Sequence, residues 1–258
     1  MNDIRIIFFD IDGTLVDMNT KRITPRMLET LARLKENGIK LCIATGRAPM
    51  VVPRFEGVEF DAYLTYNGSY CYSGKDVIFS NPMPREDVHM VIKNATALGR
   101  PVALATADCM EANGADKDLV DYFAIAGEQV VTSDRFDQLA DGEVFQVLMG
   151  CRKADYPRIL EGTVNTKIAG WWDRAVDIIP ASGGKGIGVQ KVLDYFGLTR
   201  EQAMAFGDGN NDLEMLNAVG HGVAMENGSA ELKAIAEDVC RHVAEDGIYH
   251  YCLEKQLI

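Results

Sequence analysis

Four short stretches of this 258-residue chain carry side chains that could do chemistry together. The first is Asp10-Ile11-Asp12-Gly13-Thr14-Leu15, two carboxylates two residues apart, directly after an apolar run over residues 4–9. Two acids so placed can point into one site, where they repel each other, and a bound cation is the usual remedy. Gly13 permits a backbone turn that a side chain would obstruct. The second stretch is Thr45-Gly46-Arg47, the third is Lys185 after Gly183-Gly184, and the fourth is Gly207-Asp208-Gly209-Asn210-Asn211-Asp212. Each has a plain alternative, since Asp-Gly is a common turn and a glycine pair is a flexible joint. Together they read as one acidic, oxyanion-handling site.

Something must bring them together, and the apolar pattern says what. Strands are expected over 4–9, 39–44, 61–66 and 203–206, and each runs into one of these turns or, for the third, into Asn67-Gly68. A loop or flap over 16–23 separates the first strand from a helix. Thr24-Pro25 caps that helix, Met27, Leu28, Leu31 and Leu34 line it, and Asn37-Gly38 stops it. Strand and helix in alternation predict an α/β fold, a Rossmann-like parallel sheet with helices on both faces. Ligands of such sheets bind at the carboxyl ends of the strands, where the acids lie. The rhythm breaks after a hairpin over 70–79. Helices over 85–98, 117–126 and 155–161 mix there with strands over 102–105, 144–149, 164–169 and 175–179. That order predicts an α+β insert, giving a core of 1–82 and 181–258 around an inserted domain of 83–180. The core pattern resumes with a helix from Lys185 to Phe196 and ends with 221–225 and helices from Ser229 and over 248–257.

Composition narrows the function classes. A hydrophobic share of 47% can fill a sizeable core. A net charge of −12 argues against nucleic-acid or anionic-membrane partners and leaves small anionic substrates open, provided the site gathers its own positive charge. The N-terminal residues lead straight into a strand, with no leader peptide and no spanning segment. Six cysteines without a CxxC pair read as reduced thiols of a cytoplasmic protein, and the four histidines lack zinc spacing. No obligatory protein partner is evident.

With these residues in hand, the chain resembles the haloacid dehalogenase (HAD) superfamily, whose DxDGT, strand-ending Thr or Ser, Lys and GDxxND motifs match Asp10–Thr14, Thr45, Lys185 and Asp208–Asp212. About 33 residues separate Asp12 from Thr45, too few for a cap domain there. The insert falls later, as in the Cof-type subgroup with a type IIB cap. The resemblance implies a phosphatase of small phosphate monoesters, sugar phosphates among them. Asp10 would be the nucleophile that forms an aspartyl-phosphate, and Asp12 the general acid and base. Mg2+ would be held by Asp10, the backbone carbonyl of Asp12 and Asp208, with Asp212 behind the metal. Thr45, Gly46, Arg47 and Asn211 would hold phosphate, and Lys185 would pair with phosphate and Asp10. An acid at position 12 is what separates this pattern from the family's dehalogenases and ion pumps. The alternatives are a phosphomutase or phosphotransferase, and a non-catalytic phosphate-ligand binder.

Some roles stay open in the sequence. Arg47 could clamp phosphate or cap a helix, and Asn67 could reach substrate or serve the Asn-Gly turn. Trp172, and Glu111 and Asn113 in a loop over 108–114, could set specificity or simply pack.

Overall fold

A computed structural model describes residues 3–258. The chain divides into two compact units. The first holds residues up to Thr45 together with Pro53–Phe79 and Lys185–Ile258; the second holds Gly46–Val52 and Ser80–Gly184. The short stretch after Thr45 thus groups with the insert, which a contiguous reading of the chain had no means of showing.

The first unit is built from β1 (Ile6–Phe9), α1 (Pro25–Glu36), β2 (Lys40–Ala44), β3 (Ala62–Thr65), β4 (Tyr70–Ser73) and β5 (Asp76–Ser80). The insert supplies α2 (Arg85–Ala97), β6 (Val102–Ala105), β7 (Met110–Ala112), α3 (Lys117–Ile125), α4 (Phe136–Ala140), β8 (Gln146–Gly150), α5 (Tyr156–Ile159), β9 (Thr166–Ala169) and β10 (Ala175–Pro180). The chain closes with α6 (Lys185–Phe196), β11 (Ala203–Gly207), α7 (Leu213–Ala218), β12 (His221–Met225), α8 (Ala230–Ile235), β13 (Asp238–Cys240) and α9 (Gly247–Glu254).

The larger sheet has the order β13-β12-β11-β1-β2-β3-β4-β5. From β13 to β3 all neighbours are parallel, and β4 turns back antiparallel to β3. β1 is wholly buried because it sits in mid-sheet with apolar residues on both faces. On one face Ile6, Phe8, Ala44 and Leu64 pack with Val189, Val192 and Leu193 of α6 and Met215 of α7. On the other, α1 packs against β2 and α9, Phe9 stacks on Phe206 at 5.6 Å between ring centroids, and Tyr251 meets Phe206 edge-on at 5.5 Å. Thr24 caps α1 as its sequence says, its hydroxyl accepting from the Met27 N–H at 3.0 Å. The order reverses direction at β1, with β11 and β2 on its two sides. Their carboxyl ends share one edge, which is where such sheets bind ligands.

The second unit is a five-stranded antiparallel sheet, β7-β6-β8-β10-β9. Val88 and Val91 of α2, Phe136 of α4 and Ile159 of α5 cover one face with Val102, Leu104, Val147 and Val176. α3 packs on β8 and β10. Gly150 makes that possible, since a Cβ there would lie 2.8 Å from the Asp118 Cβ. Asp118 takes three guanidinium groups, from Arg100, Arg152 and Arg174. Burial pushes its carboxyl up, and the three arginines outweigh it and hold the group well below the usual range.

The structure adds four short strands and α-helices to the sequence reading and moves several element ends. The stretch over 108–114 is not a plain loop, because it carries strand β7. α4, α7 and β13 also went unread. The strand expected from Val164 begins at Thr166, because the Val164 and Asn165 N–H groups donate to the Asp87 carboxylate at 2.9 and 2.7 Å.

Candidate active site

The site in the first unit starts from the end of β1. The Asp10 N–H still donates to the Phe206 carbonyl at 3.0 Å, so the parallel ladder fixes where the first acid emerges. The chain then turns at Gly13, whose φ of +91° belongs to glycine. A Cβ on Gly13 would lie 2.1 Å from Asp208 Oδ2. The glycine is therefore the space in which a second carboxylate stands. Thr14, 1% exposed, donates its hydroxyl to Asp208 Oδ1 at 3.3 Å. Asn227 was not singled out in the sequence, yet it donates to the Gly13 carbonyl at 2.7 Å and accepts from the Val243 N–H. Its position just after β12, another strand end, was the available signal.

Lys185 opens α6 and is 1% exposed. Its Nζ lies 2.7 Å from Asp10 Oδ1 and 2.6 Å from Asp212 Oδ1. The second oxygen of Asp212 accepts the N–H groups of Asp208 and Gly209, each at 3.0 Å. Asp212 thus builds the turn that presents Asp208. Gly207 leaves room for it, since a Cβ there would lie 2.6 Å from the Asp212 Cγ. One oxygen from each of Asp10, Asp208 and Asp212 falls within 4.8 Å of the others. Asp12 is half-buried beside them.

Charge is out of balance in this cluster: three carboxylates face one ammonium. Burial pushes the Asp10 carboxyl up to about 7; Lys185 opposes the rise, and Asp212 and Asp12 add to it. Burial also pushes Asp208 up to about 9, with Asp10 and Asp212 adding. Burial alone would lower the pKa of Lys185, but Asp10 and Asp212 reverse that, raise it and keep the group a cation. An all-oxygen donor set with surplus negative charge fits a hard divalent cation.

A linked stability effect is expected. Each of the two acids has a folded pKa above its ordinary unfolded value. Its contribution to stability is complete below about pH 4 and is lost as pH rises through about 7 for Asp10 and about 9 for Asp208. A cation binds the ionised forms and restores that loss. Melting temperature measured in chelator and in saturating divalent cation should therefore diverge more at pH 8.5 than at pH 6. A gap that is equal at the two pH values would refute the charge argument.

A second link joins the neighbouring turns. Asn211 Nδ2 donates to Asn67 Oδ1 at 3.1 Å, and the Asn67 N–H donates to the Thr45 carbonyl at 2.9 Å. Thr45 is 1% exposed, and its own N–H donates to Leu64 O. The remaining residues named from sequence lie in the second unit. Arg47 Nη1 donates to the Val51 carbonyl at 3.2 Å and closes the turn Pro49–Val51, while Gln146 donates to the Gly46 carbonyl at 3.2 Å. Glu111 is on β7, ion-paired with Arg135 at the start of α4. Asn113 Oδ1 accepts from the Val102 N–H at 2.9 Å. Trp172 stacks on Tyr122 at 5.8 Å and 6°, with the Arg174 guanidinium 4.9 Å from its ring centre. These three cap side chains stand at three separate places, each held by a neighbour in its own unit.

The sequence signature of haloacid dehalogenase-like hydrolases matches residues 7–252. The chain is 34% identical to the putative phosphatase YkrA of Bacillus subtilis over 99% of both proteins. It is 30% identical to the 5-amino-6-(5-phospho-D-ribitylamino)uracil phosphatase YitU of the same organism over 96% of both. Among solved structures, the HAD subclass IIB sugar phosphatase BT4131 superposes with a TM-score of 0.92 at 28% identity, covering 98% of this chain and all of that one. BT1666 from Bacteroides thetaiotaomicron, a HAD phosphatase, gives 0.90 at 25%, covering 99% and 96%. The chain belongs to the haloacid dehalogenase-like hydrolase family and is an enzyme of the phosphatase kind that these relatives represent.

Proposed function

We propose that the protein is a Mg2+-dependent phosphatase that hydrolyses small phosphate monoesters, with sugar phosphates the leading class, through an aspartyl-phosphate. One observation carries the reading: buried Lys185 bridges Asp10 and Asp212 beside Asp208 at the carboxyl edge of β1. A site built only to bind phosphate has no use for a carboxylate that the lysine aims and that surplus negative charge makes reactive.

In the first step an Asp10 oxygen bonds to phosphorus as the ester P–O bond breaks, and Asp12 gives its proton to the leaving oxygen. Asp12 then takes a proton from the water that attacks phosphorus. That attack releases inorganic phosphate and restores the Asp10 carboxylate. Asp10, the Asp12 carbonyl and Asp208 would hold Mg2+, which supplies charge neutralisation for the attack of one anion on another. Asp212 is assigned to support, since Lys185 and two backbone N–H groups already engage its oxygens. Thr45, Gly46 and Asn211 would hold phosphate oxygens. The core side chains address only the phosphoryl group, so residues 83–180 are assigned the choice of ester. Glu111, Asn113 and Trp172 are candidates there, weakened by their partners within that unit. Six free cysteines fit a cytoplasmic location, and no helix among the described residues is long and apolar enough to cross a membrane.

The test is a panel of phosphate monoesters given to the purified protein with Mg2+ and with chelator. Phosphate release with Mg2+ and its loss in chelator are expected, with Ca2+ binding but supporting little turnover. Full activity in chelator sinks the metal assignment. Transfer to an added sugar hydroxyl without phosphate release would make the protein a phosphotransferase.

A further inference from the structure

The turn from β3 to β4 is strained in a way that its hairpin does not explain. Tyr66, Asn67 and Gly68 carry φ of 51°, 52° and 84° in succession. Asn-Gly alone satisfies a tight hairpin turn with two positive φ values. Tyr66 adds a third, in a bulky aromatic residue that is 0% exposed and for which this region is a genuine outlier. Next to it the Ser69 hydroxyl is buried and makes no hydrogen bond. Both features cost stability, and such costs cluster where local geometry serves a site.

What the turn gains is reach. Its N–H at Asn67 holds the Thr45 carbonyl, and its carboxamide oxygen holds Asn211, which lies on the turn of Asp208. Gly68 meets the helix that Lys185 opens: a Cβ on Gly188 would come 3.0 Å from the Gly68 Cα. One left-handed turn therefore touches two of the four chemical stretches and the helix that Lys185 opens. Asn67 is buried, and its side-chain oxygen is already engaged by the Asn211 carboxamide.

We propose that Asn67 is a positioning residue that acts through Asn211. Its side-chain oxygen fixes the direction of the Asn211 carboxamide, while its backbone spaces that group from Thr45. The inference rests on the phosphatase reading and deepens it, since Asn211 is the group that would meet phosphate.

Glycine separates the side chain from the backbone. Asn67→Gly keeps the left-handed conformation and the N–H to Thr45, relieves local strain, and removes the acceptor for Asn211. Binding of inorganic phosphate in Mg2+, measured by calorimetry, should weaken roughly 3- to 10-fold. KM for an aryl phosphate should rise by a similar factor with kcat nearly unchanged, the pattern of lost uniform binding. Melting temperature should stay within about 3 °C of wild type. Asn211→Ala should show the same loss, and Asn67→Gly added to Asn211→Ala should lose nothing more. Additive losses would mean that Asn67 acts on phosphate by itself, and wild-type affinity in Asn67→Gly would mean that it has no role; either overturns the inference. A fall in melting temperature with phosphate affinity intact would make the turn merely structural and overturn it too. A wild-type protein inactive on every ester sinks the phosphatase reading instead, and is told apart by that control.

Discussion

Asp10→Asn is expected to abolish phosphate release, by at least about 10⁴-fold, while the metal-free protein becomes no less stable than wild type. The two halves of this result come from one geometry. The carboxamide has the shape of the carboxylate, so β1 and its ladder to Phe206 are untouched. It is a poor nucleophile, so the covalent step fails. Lys185 keeps its contact with Asp212 at 2.6 Å and is not left unpaired. Asp208 loses a neighbour that raises its pKa, and the cluster sheds one of its surplus charges. Phosphate release with an aryl ester and thermal melting in chelator at pH 8 check both halves. A variant that melts well below wild type would show that Asp10 is mainly structural. One that keeps a tenth of its activity would remove it from the nucleophile's role. Loss of activity with gain of stability is the trade expected where a site holds charge for chemistry.

Much of this arrangement could be read from the chain because its signals are local. Asp10, Asp12 and Gly13 follow an apolar strand within five residues, and Lys185 stands at a helix start after two glycines. Alternation predicted a parallel sheet, and the structure gathers Asp10, Asp208 and Asp212 where its strands end. What stayed hidden depends on distant partners or on brevity. The resemblance placed Lys185 beside Asp10, but that Asp212 would share the same ammonium was not legible. β7 and β13 span three residues each, and α4 five, too short for either period to show. Val164 and Asn165 read as the start of a strand on paper, but the Asp87 carboxylate claims their N–H groups. Glu111, Asn113 and Trp172 looked available for substrate because Arg135, Val102 and Tyr122 are far away in sequence. The membership of Gly46–Val52 in the second unit was invisible for the same reason.

Lys185→Met should have the second large effect, and its dependence on pH is diagnostic. Methionine fills nearly the same space, so packing under α6 survives, yet the ammonium that pairs with both Asp10 and Asp212 is gone. Breaking a buried ion pair from one side costs roughly 3–5 kcal/mol, because the partner is left charged and dry. Here two partners are left, and Asp10, whose pKa burial already raises, can escape by taking up a proton. The penalty should therefore be small near pH 5, where Asp10 can stay neutral, and grow as pH rises and its ionisation is forced. The sign follows from linkage: an acid whose pKa is raised in the folded state loses its contribution to stability progressively above its unfolded value. Urea unfolding of the variant and wild type at pH 5.5 and pH 8.5, in chelator, should show the gap widening with pH. Saturating divalent cation should close part of it by replacing the lost positive charge. Turnover should stay low even then, by about 10³-fold or more, because added cation does not replace the hydrogen bond by which Lys185 holds Asp10. Equal stability of the two proteins at pH 8.5 would mean that the acids are already neutral in the wild type. In that case the charge imbalance on which the metal site depends would not exist.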